Sequence, residues 1–234
     1  MTKNSKSRKR LDAPNTQKIN RKTETWTAKT APGPHEEKSS IPLKTALRNH
    51  IEVVDNAKEA ERIIKEGKIQ VDKKTVKNPR YSVGFMDVLT IQPSKKNYRA
   101  VYNEKGKIIF IEIKEGKEAN YKLGRVNHKQ KIKGGKTQIT LHDGKNIINE
   151  EVNTGDAVKI NLPEKEIQKI IKMKEGNQAY IMSGKHFGEI QEITGEMPGT
   201  SSRPPLIKLE DIETQKKNVF PVGEKETEIQ TKKE

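Results

Sequence analysis

The chain has no cysteine, which excludes disulfides, thiolate metal sites and cysteine nucleophiles together. Aromatic residues make up 4% and all hydrophobic residues only 30% of 234 positions. That is too little for one large enzyme core, so several small cores joined by polar segments are expected. Long apolar runs are also missing. The strongest, Ile108-Ile-Phe-Ile111, is broken by Glu112 and is far too short to cross a bilayer. With no leader-like segment in view, a soluble intracellular protein without a membrane partner is expected. The five histidines are scattered rather than set at ligand spacing, which argues against a metal site.

What is abundant is positive charge. Lys and Arg number 47 against 32 acids, a formal net charge of +15 and a pI near 9.7. Counterion release rewards each cation placed on a phosphate, so this balance points to a polyanionic partner. The excess is uneven. Residues 1–42 hold ten bases and four acids, 43–95 eleven and seven, and 96–172 seventeen and ten, whereas from 173 onward acids lead eleven to nine. The nucleic-acid surface is expected in the first three quarters of the chain.

Residues 1–42 read as a basic extended arm, interrupted by Pro14, Pro32, Gly33 and Pro34. Arg8, Lys9, Arg10, Arg21 and Lys22 are its phosphate-seeking residues. Trp26, the sole tryptophan, is placed to stack on a base or wedge into a core. Over 43–105 two short helices on a small sheet are expected. Leu43, Ala46, Leu47, His50 and Ile51 share one helical face, with Ser40 as N-cap and Pro42 in the first turn. Lys44 and Arg48 project from the opposite side. Asn56 and Glu59 form a capping-box pattern before the stripe Ala57, Ala60, Ile63 and Ile64, and Gly67 ends that helix. Alternation then predicts strands around Ile69–Val71, Val83 and Val88–Ile91, with a turn at Asp72-Lys73-Lys74.

A central β domain is expected over 106–172, with strands near Ile108–Ile113, Gln138–Leu141 and Val158–Ile160. The segment between the first two, bearing Lys122, Arg125, Lys129, Lys131, Lys133 and Lys136 without an acid, reads as a phosphate-binding loop. Residues 173–211 form a final β module, whose Ser183–Gly188 loop presents Lys185 and His186. Residues 212–234 read as a polar tail in which Val219-Phe-Pro-Val222 docks.

Enzyme-like fragments fail on spacing. Gly134-Gly135-Lys136-Thr137 resembles the end of a nucleotide-binding loop, but that pattern needs glycine at position 130, which is Gln. Ser183 lacks the glycines of a nucleophile elbow, and no carboxylate pair is framed by apolar residues. No catalytic residue, cofactor or small-molecule substrate is therefore assigned.

The segment Ile41-Pro-Leu43, Leu47-Arg48, Asn56-Ala-Lys-Glu-Ala60, Ile63-Ile64, Gly67-Lys-Ile69 and Val71-Asp72 closely resembles the alpha-L RNA-binding motif. More specific are Asn78-Pro-Arg-Tyr81 and Val83-Gly-Phe-Met-Asp-Val88. With Arg10-Leu11, Ala13-Pro14, Trp26, Gly33-Pro-His35 and Lys133-Gly-Gly-Lys136 through Leu141-His-Asp-Gly144, they resemble small-subunit ribosomal protein four of the archaeal and eukaryotic series. Gly176-Asn177 through Gly184-Lys-His186 to Gly188-Glu-Ile190 is similar to that family's KOW module.

The resemblance implies an α+β, multi-domain chain. Its parts are an alpha-L motif, a central β domain and a C-terminal SH3-like β-barrel KOW module. It also implies a ribonucleoprotein component that binds small-subunit rRNA beside neighbouring ribosomal proteins in the cytoplasmic ribosome. Its RNA surface would include Lys44, Arg48, Lys58, Arg62, Lys68, Lys73, Lys74, Arg80 and Tyr81. One departure is Lys73 where the family's turn has glycine; a lysine at positive φ is strained, so another turn type is expected. Two further readings compete. An RNA-modifying enzyme, such as a pseudouridine synthase or methyltransferase, also carries the alpha-L motif but needs a catalytic domain for which no segment is free. A non-ribosomal transcription or translation factor with a KOW module is the other.

Overall fold

The computed structural model describes residues 6–113, 117–164, 166–201 and 203–229, with Lys117 described in its backbone only. They divide into two compact units. One takes the chain up to Asn103 together with Lys107–Asn120, and the other takes Glu104–Gly106 and the chain from Tyr121. Among the described residues no helix is long and apolar enough to cross a membrane.

The first unit begins with the basic arm, and the arm is not free. Strands β1 (Ser7–Lys9) and β2 (Trp26–Ala28) pair antiparallel with Lys9 opposite Trp26. The amide of Ile108 donates to the Thr16 carbonyl, and the Gln17 side chain donates to Ser40 O. Strand β3 (Ser40–Pro42) follows and leads into helix α1 (Leu43–Asn49).

Helix α1 starts differently from the expectation. Pro42 is its N-cap, and Ser40 instead turns its hydroxyl to Glu36 O. The open amides of Leu43 and Lys44 are satisfied by the carbonyls of Tyr81 and Pro79, both at 2.9 Å. Helix α2 (Ala57–Lys65) matches its sequence signals: Asn56 Oδ1 accepts from Glu59 N–H at 2.9 Å. At its end Gly67 (φ 78°) and Lys68 donate to Ile64 O and Ile63 O, a Schellman closure.

Strands β4 (Ile69–Val71), β5 (Lys74–Thr75), β6 (Ser82–Gly84), β7 (Val88–Ile91), β8 (Lys96–Tyr102) and β9 (Ile108–Ile113) complete the unit. The main sheet has the order β5-β4-β7-β8-β9, and β6 pairs with β3. Strand β9, expected to open a central domain, pairs along its whole length with β8, because Ile108, Ile111 and Ile113 bury their side chains on this core. The β4–β5 hairpin keeps the two-residue turn despite its lysine. Asp72 and Lys73 both adopt positive φ (50° and 61°), as a primed hairpin turn demands. Asp72 is held there by exchange with Val88: its amide donates to Val88 O, and its carboxylate accepts from Val88 N–H.

The second unit carries two five-stranded sheets with separate cores. Strands β10 (Tyr121–Lys131), β11 (Thr137–Leu141), β12 (Asn146–Ile148), β13 (Ala157–Asn161) and β14 (Ile167–Ile171) take the order β12-β11-β10-β13-β14. Val126, Ile139, Leu141, Val152, Val158 and Ile160 form their core. Strands β15 (Gln178–Ile181), β16 (Ile190–Met197), β17 (Leu206–Leu209), β18 (Glu213–Gln215) and β19 (Val219–Gly223) take the order β18-β17-β16-β15-β19. Their core includes Ala179, Ile181, Ile193, Ile207, Leu209 and Val219.

Two expectations are corrected here. The basic segment from Lys122 is no loop: it is strand β10 up to Lys131, and only the Ile132–Lys136 turn is irregular, with Gly134 and Gly135 at positive φ. Residues 213–223 are no tail, since β18 and β19 are hydrogen-bonded members of the last sheet.

Candidate nucleic-acid interface

In the first unit several of the exposed cations lie on the helices and the β4–β5 hairpin. Helix α1 buries Leu43, Ala46 and Leu47 and leaves Lys44 and Arg48 part-exposed on the other side. Lys44 Nζ lies 2.8 Å from Glu61, and Arg48 Nη2 lies 2.6 Å from Glu24. Lys58, Arg62, Lys68 and Lys74 are exposed, while Lys73, Arg80 and Tyr81 are half-buried. Glu66 links Arg62 and Lys68.

The acids in these pairs stay ionised. The Arg48 hydrogen bond, with the charges of Arg48 and Arg10, holds Glu24 below its ordinary value. The hydrogen bond from Lys44 does the same for Glu61, and those from Lys68 and Arg62 for Glu66. Each cation is thereby oriented before any polyanion arrives. A phosphate must out-compete only a solvent-screened surface pair.

In the arm, Trp26 is 57% exposed and Lys9 and Lys22 are exposed. Arg8 is part-exposed and paired with Glu37. Two arm residues are withdrawn from the interface. Arg10 is buried and paired with Glu24 at 2.5 Å. Arg21 spends its guanidinium on the carbonyls of Leu11, Ala13 and Pro14, tying together the loop that follows β1.

In the second unit the basic run splits in two. Lys122 is 1% exposed, with Nζ 2.8 Å from Asp143, so it is a structural ion pair and not a phosphate ligand. Burial pushes the Asp143 carboxyl up, but the charges of Lys122, His142 and Lys145 outweigh it and hold the group well below the usual carboxylate range. Arg125 is likewise turned inward, where Nη1 donates to Lys217 O and Val219 O and burial lowers its pKa. Beyond a register shift between Val126 and His128, β10 becomes exposed on both faces. There Lys129 and Lys131, with Lys133 and Lys136 of the turn that follows, are exposed. Lys129 is steadied by Glu150 O at 2.9 Å. In the Ser183–Gly188 loop Lys185 is exposed, and His186 Nδ1 lies 2.9 Å from Glu189.

Sequence reasoning missed Glu24, which spans buried Arg10 and surface Arg48. Its only signal was an acid standing alone between Arg21-Lys22 and Trp26.

The RS4NT (NUC023) domain model matches residues 4–38, the S4 domain model 49–89 and the model of Ribosomal family S4e 94–167. Small ribosomal subunit protein eS4 of Archaeoglobus fulgidus is 40% identical over 225 residues, covering 94% of each chain. That of Methanosphaera stadtmanae is 38% identical over 221 residues, covering 92% of this chain and 91% of the relative. The crystal structure of 30S ribosomal protein S4e from Thermoplasma acidophilum aligns with a TM-score of 0.69 at 34% identity, covering 79% of this chain and 95% of that one. With three domain models in register and near-full-length relatives, the chain belongs to the S4e family of ribosomal proteins.

Proposed function

We propose that the chain is a structural constituent of the small ribosomal subunit that binds folded rRNA in the cytoplasmic ribosome, beside neighbouring ribosomal proteins. The observation that carries this is the near-full-length match to proteins named as small ribosomal subunit components. The geometry supplies the means. Lys44, Arg48, Lys58, Arg62, Lys68, Lys73, Lys74, Arg80 and Tyr81 form one RNA-facing surface on the S4 domain. Lys129 and Lys131 at the end of β10, with Lys133 and Lys136 of the turn that follows, form another, with Lys9 and Lys22 of the arm and Lys185 of the last module adding contacts. Cations of this kind position a protein on folded RNA, while the spacing between patches selects the RNA shape that satisfies all of them.

The last sheet, β18-β17-β16-β15-β19, is read as the KOW module, of SH3-like barrel type. Its support is the tight Ser183–Gly188 loop joining β15 to β16, with Gly184 and Gly188 both at positive φ. Sedimentation of cell extract under ribosome-preserving conditions tests the main reading. The chain is expected in small-subunit and ribosome fractions and is expected to leave them in high salt. Recovery only in RNA-free fractions at low salt overturns it.

A further inference from the structure

The exposed indole of Trp26 does not stand alone. It borders a cavity of about 270 Å³ whose wall includes Lys44, Thr45, Arg48 and Asn49 of α1 and Glu24 of the arm. The antiparallel register of β1 and β2, with Trp26 opposite Lys9, fixes the ring's backbone position. Glu24 draws in the Nη2 end of Arg48, setting the guanidinium at the rim. An aromatic ring beside cations and Asn49 is the composition of a single-strand stacking platform.

We propose that this cleft takes one unpaired nucleotide of the RNA, its base stacked on Trp26 and its phosphate on Arg48 and Lys44. The inference rests on the rRNA-binding reading and adds to it a specific contact with a single-stranded element. A helical segment presents its bases edge-on inside the stack and has no free face to offer Trp26, so the cleft selects for a bulge, loop or junction. Glu24 is a positioning residue that keeps Arg48 at the rim and repels a phosphate seated too deep.

Because Trp26 is the sole tryptophan, its fluorescence reports on this cleft alone. The full chain is titrated with purified small-subunit rRNA and with a blunt RNA duplex, at low ionic strength where both bind, with occupancy followed separately by filter retention. Saturating rRNA is expected to quench the indole, and the duplex at equal occupancy is expected to leave it unchanged. Trp26→Ala is expected to weaken rRNA binding roughly 5- to 100-fold, and Trp26→Phe to recover most of that loss. Full-affinity rRNA binding by Trp26→Ala with no quenching in the parent chain overturns the cleft and leaves the rRNA reading intact. Equal quenching by the duplex overturns the requirement for an unpaired base. If the parent chain retains no RNA at all, both readings fall.

Discussion

His35 Nε2 lies 2.9 Å from Asp87 Oδ2, joining two residues 52 positions apart, both buried. The same Asp87 oxygen accepts from the Gly84 amide at 2.9 Å. This relationship explains why Gly33-Pro-His35 and Val83-Gly-Phe-Met-Asp-Val88 occur together. The first segment delivers an imidazole, and the second supplies a carboxylate to receive it and a glycine to make room. A Cβ on Gly84 would stand 2.4–2.7 Å from three His35 ring atoms. Gly84→Ala is therefore expected to destabilise the first unit by about 1–3 kcal/mol, as overpacking does. It should also loosen the arm, raising its cleavage rate in limited proteolysis; an arm as resistant as in the parent chain would contradict this anchor.

Lys122 and Asp143 predict a separation between stability and binding. Removing one partner of a buried ion pair leaves the other charge uncompensated, at a cost of about 3–5 kcal/mol. Lys122→Ala should lower the urea midpoint accordingly while the salt slope of rRNA binding by the folded protein stays unchanged. A slope reduced by about one would return Lys122 to the phosphate-binding surface. Since the Asp143 carboxyl is held low in the folded state, its contribution is present above the unfolded value of about 3.9 and is lost as pH falls below it.

His50 sets a second pH dependence. Burial and the charge of Lys18 lower its pKa from 6.5 to about 4. The folded protein therefore keeps the imidazole neutral in a range where the unfolded chain protonates it. Its contribution is complete above about pH 6.5 and declines as pH falls toward 4. Urea midpoints at pH 7 and 5 should differ more in the parent chain than in His50→Gln. Equal differences would remove His50 as the cause.

Lys73 holds a backbone conformation that glycine adopts freely, at φ 61°. Lys73→Gly is expected to raise stability by about 1 kcal/mol through relief of the left-handed strain, and at the same time to weaken rRNA binding through loss of a cation. Thermal unfolding and filter binding on the same preparation check both signs. A gain in stability with unchanged affinity would mean the lysine is tolerated rather than used.

Local signals were legible and long-range ones were not. Helix α2 could be read residue by residue because its cap, its stripe and its terminating glycine all act within one turn. The start of α1 could not, since the carbonyls that satisfy it belong to Pro79 and Tyr81, far along the chain. Lys122 misled for the same reason: its acid lies across the sheet at Asp143. A cue existed, because Lys122 sits in the apolar half of its segment with Tyr121, Leu123 and Val126, whereas Lys129–Lys136 do not. The arm's fastening was hidden because it runs through hydrogen bonds and ion pairs to distant partners, such as His35 to Asp87, which leave no hydrophobic pattern.

The place of β19 has a consequence for how the molecule is made. It pairs with β15, which translation delivers some forty residues earlier, so one side of β15 goes without its partner during that interval. All five residues of β19 are buried once it docks. Until then the nascent module displays an open strand edge and an unfilled apolar slot, the combination that invites pairing with another chain. Stalling or truncation between β18 and β19 would thus yield a sticky product from a sequence that is otherwise mostly polar.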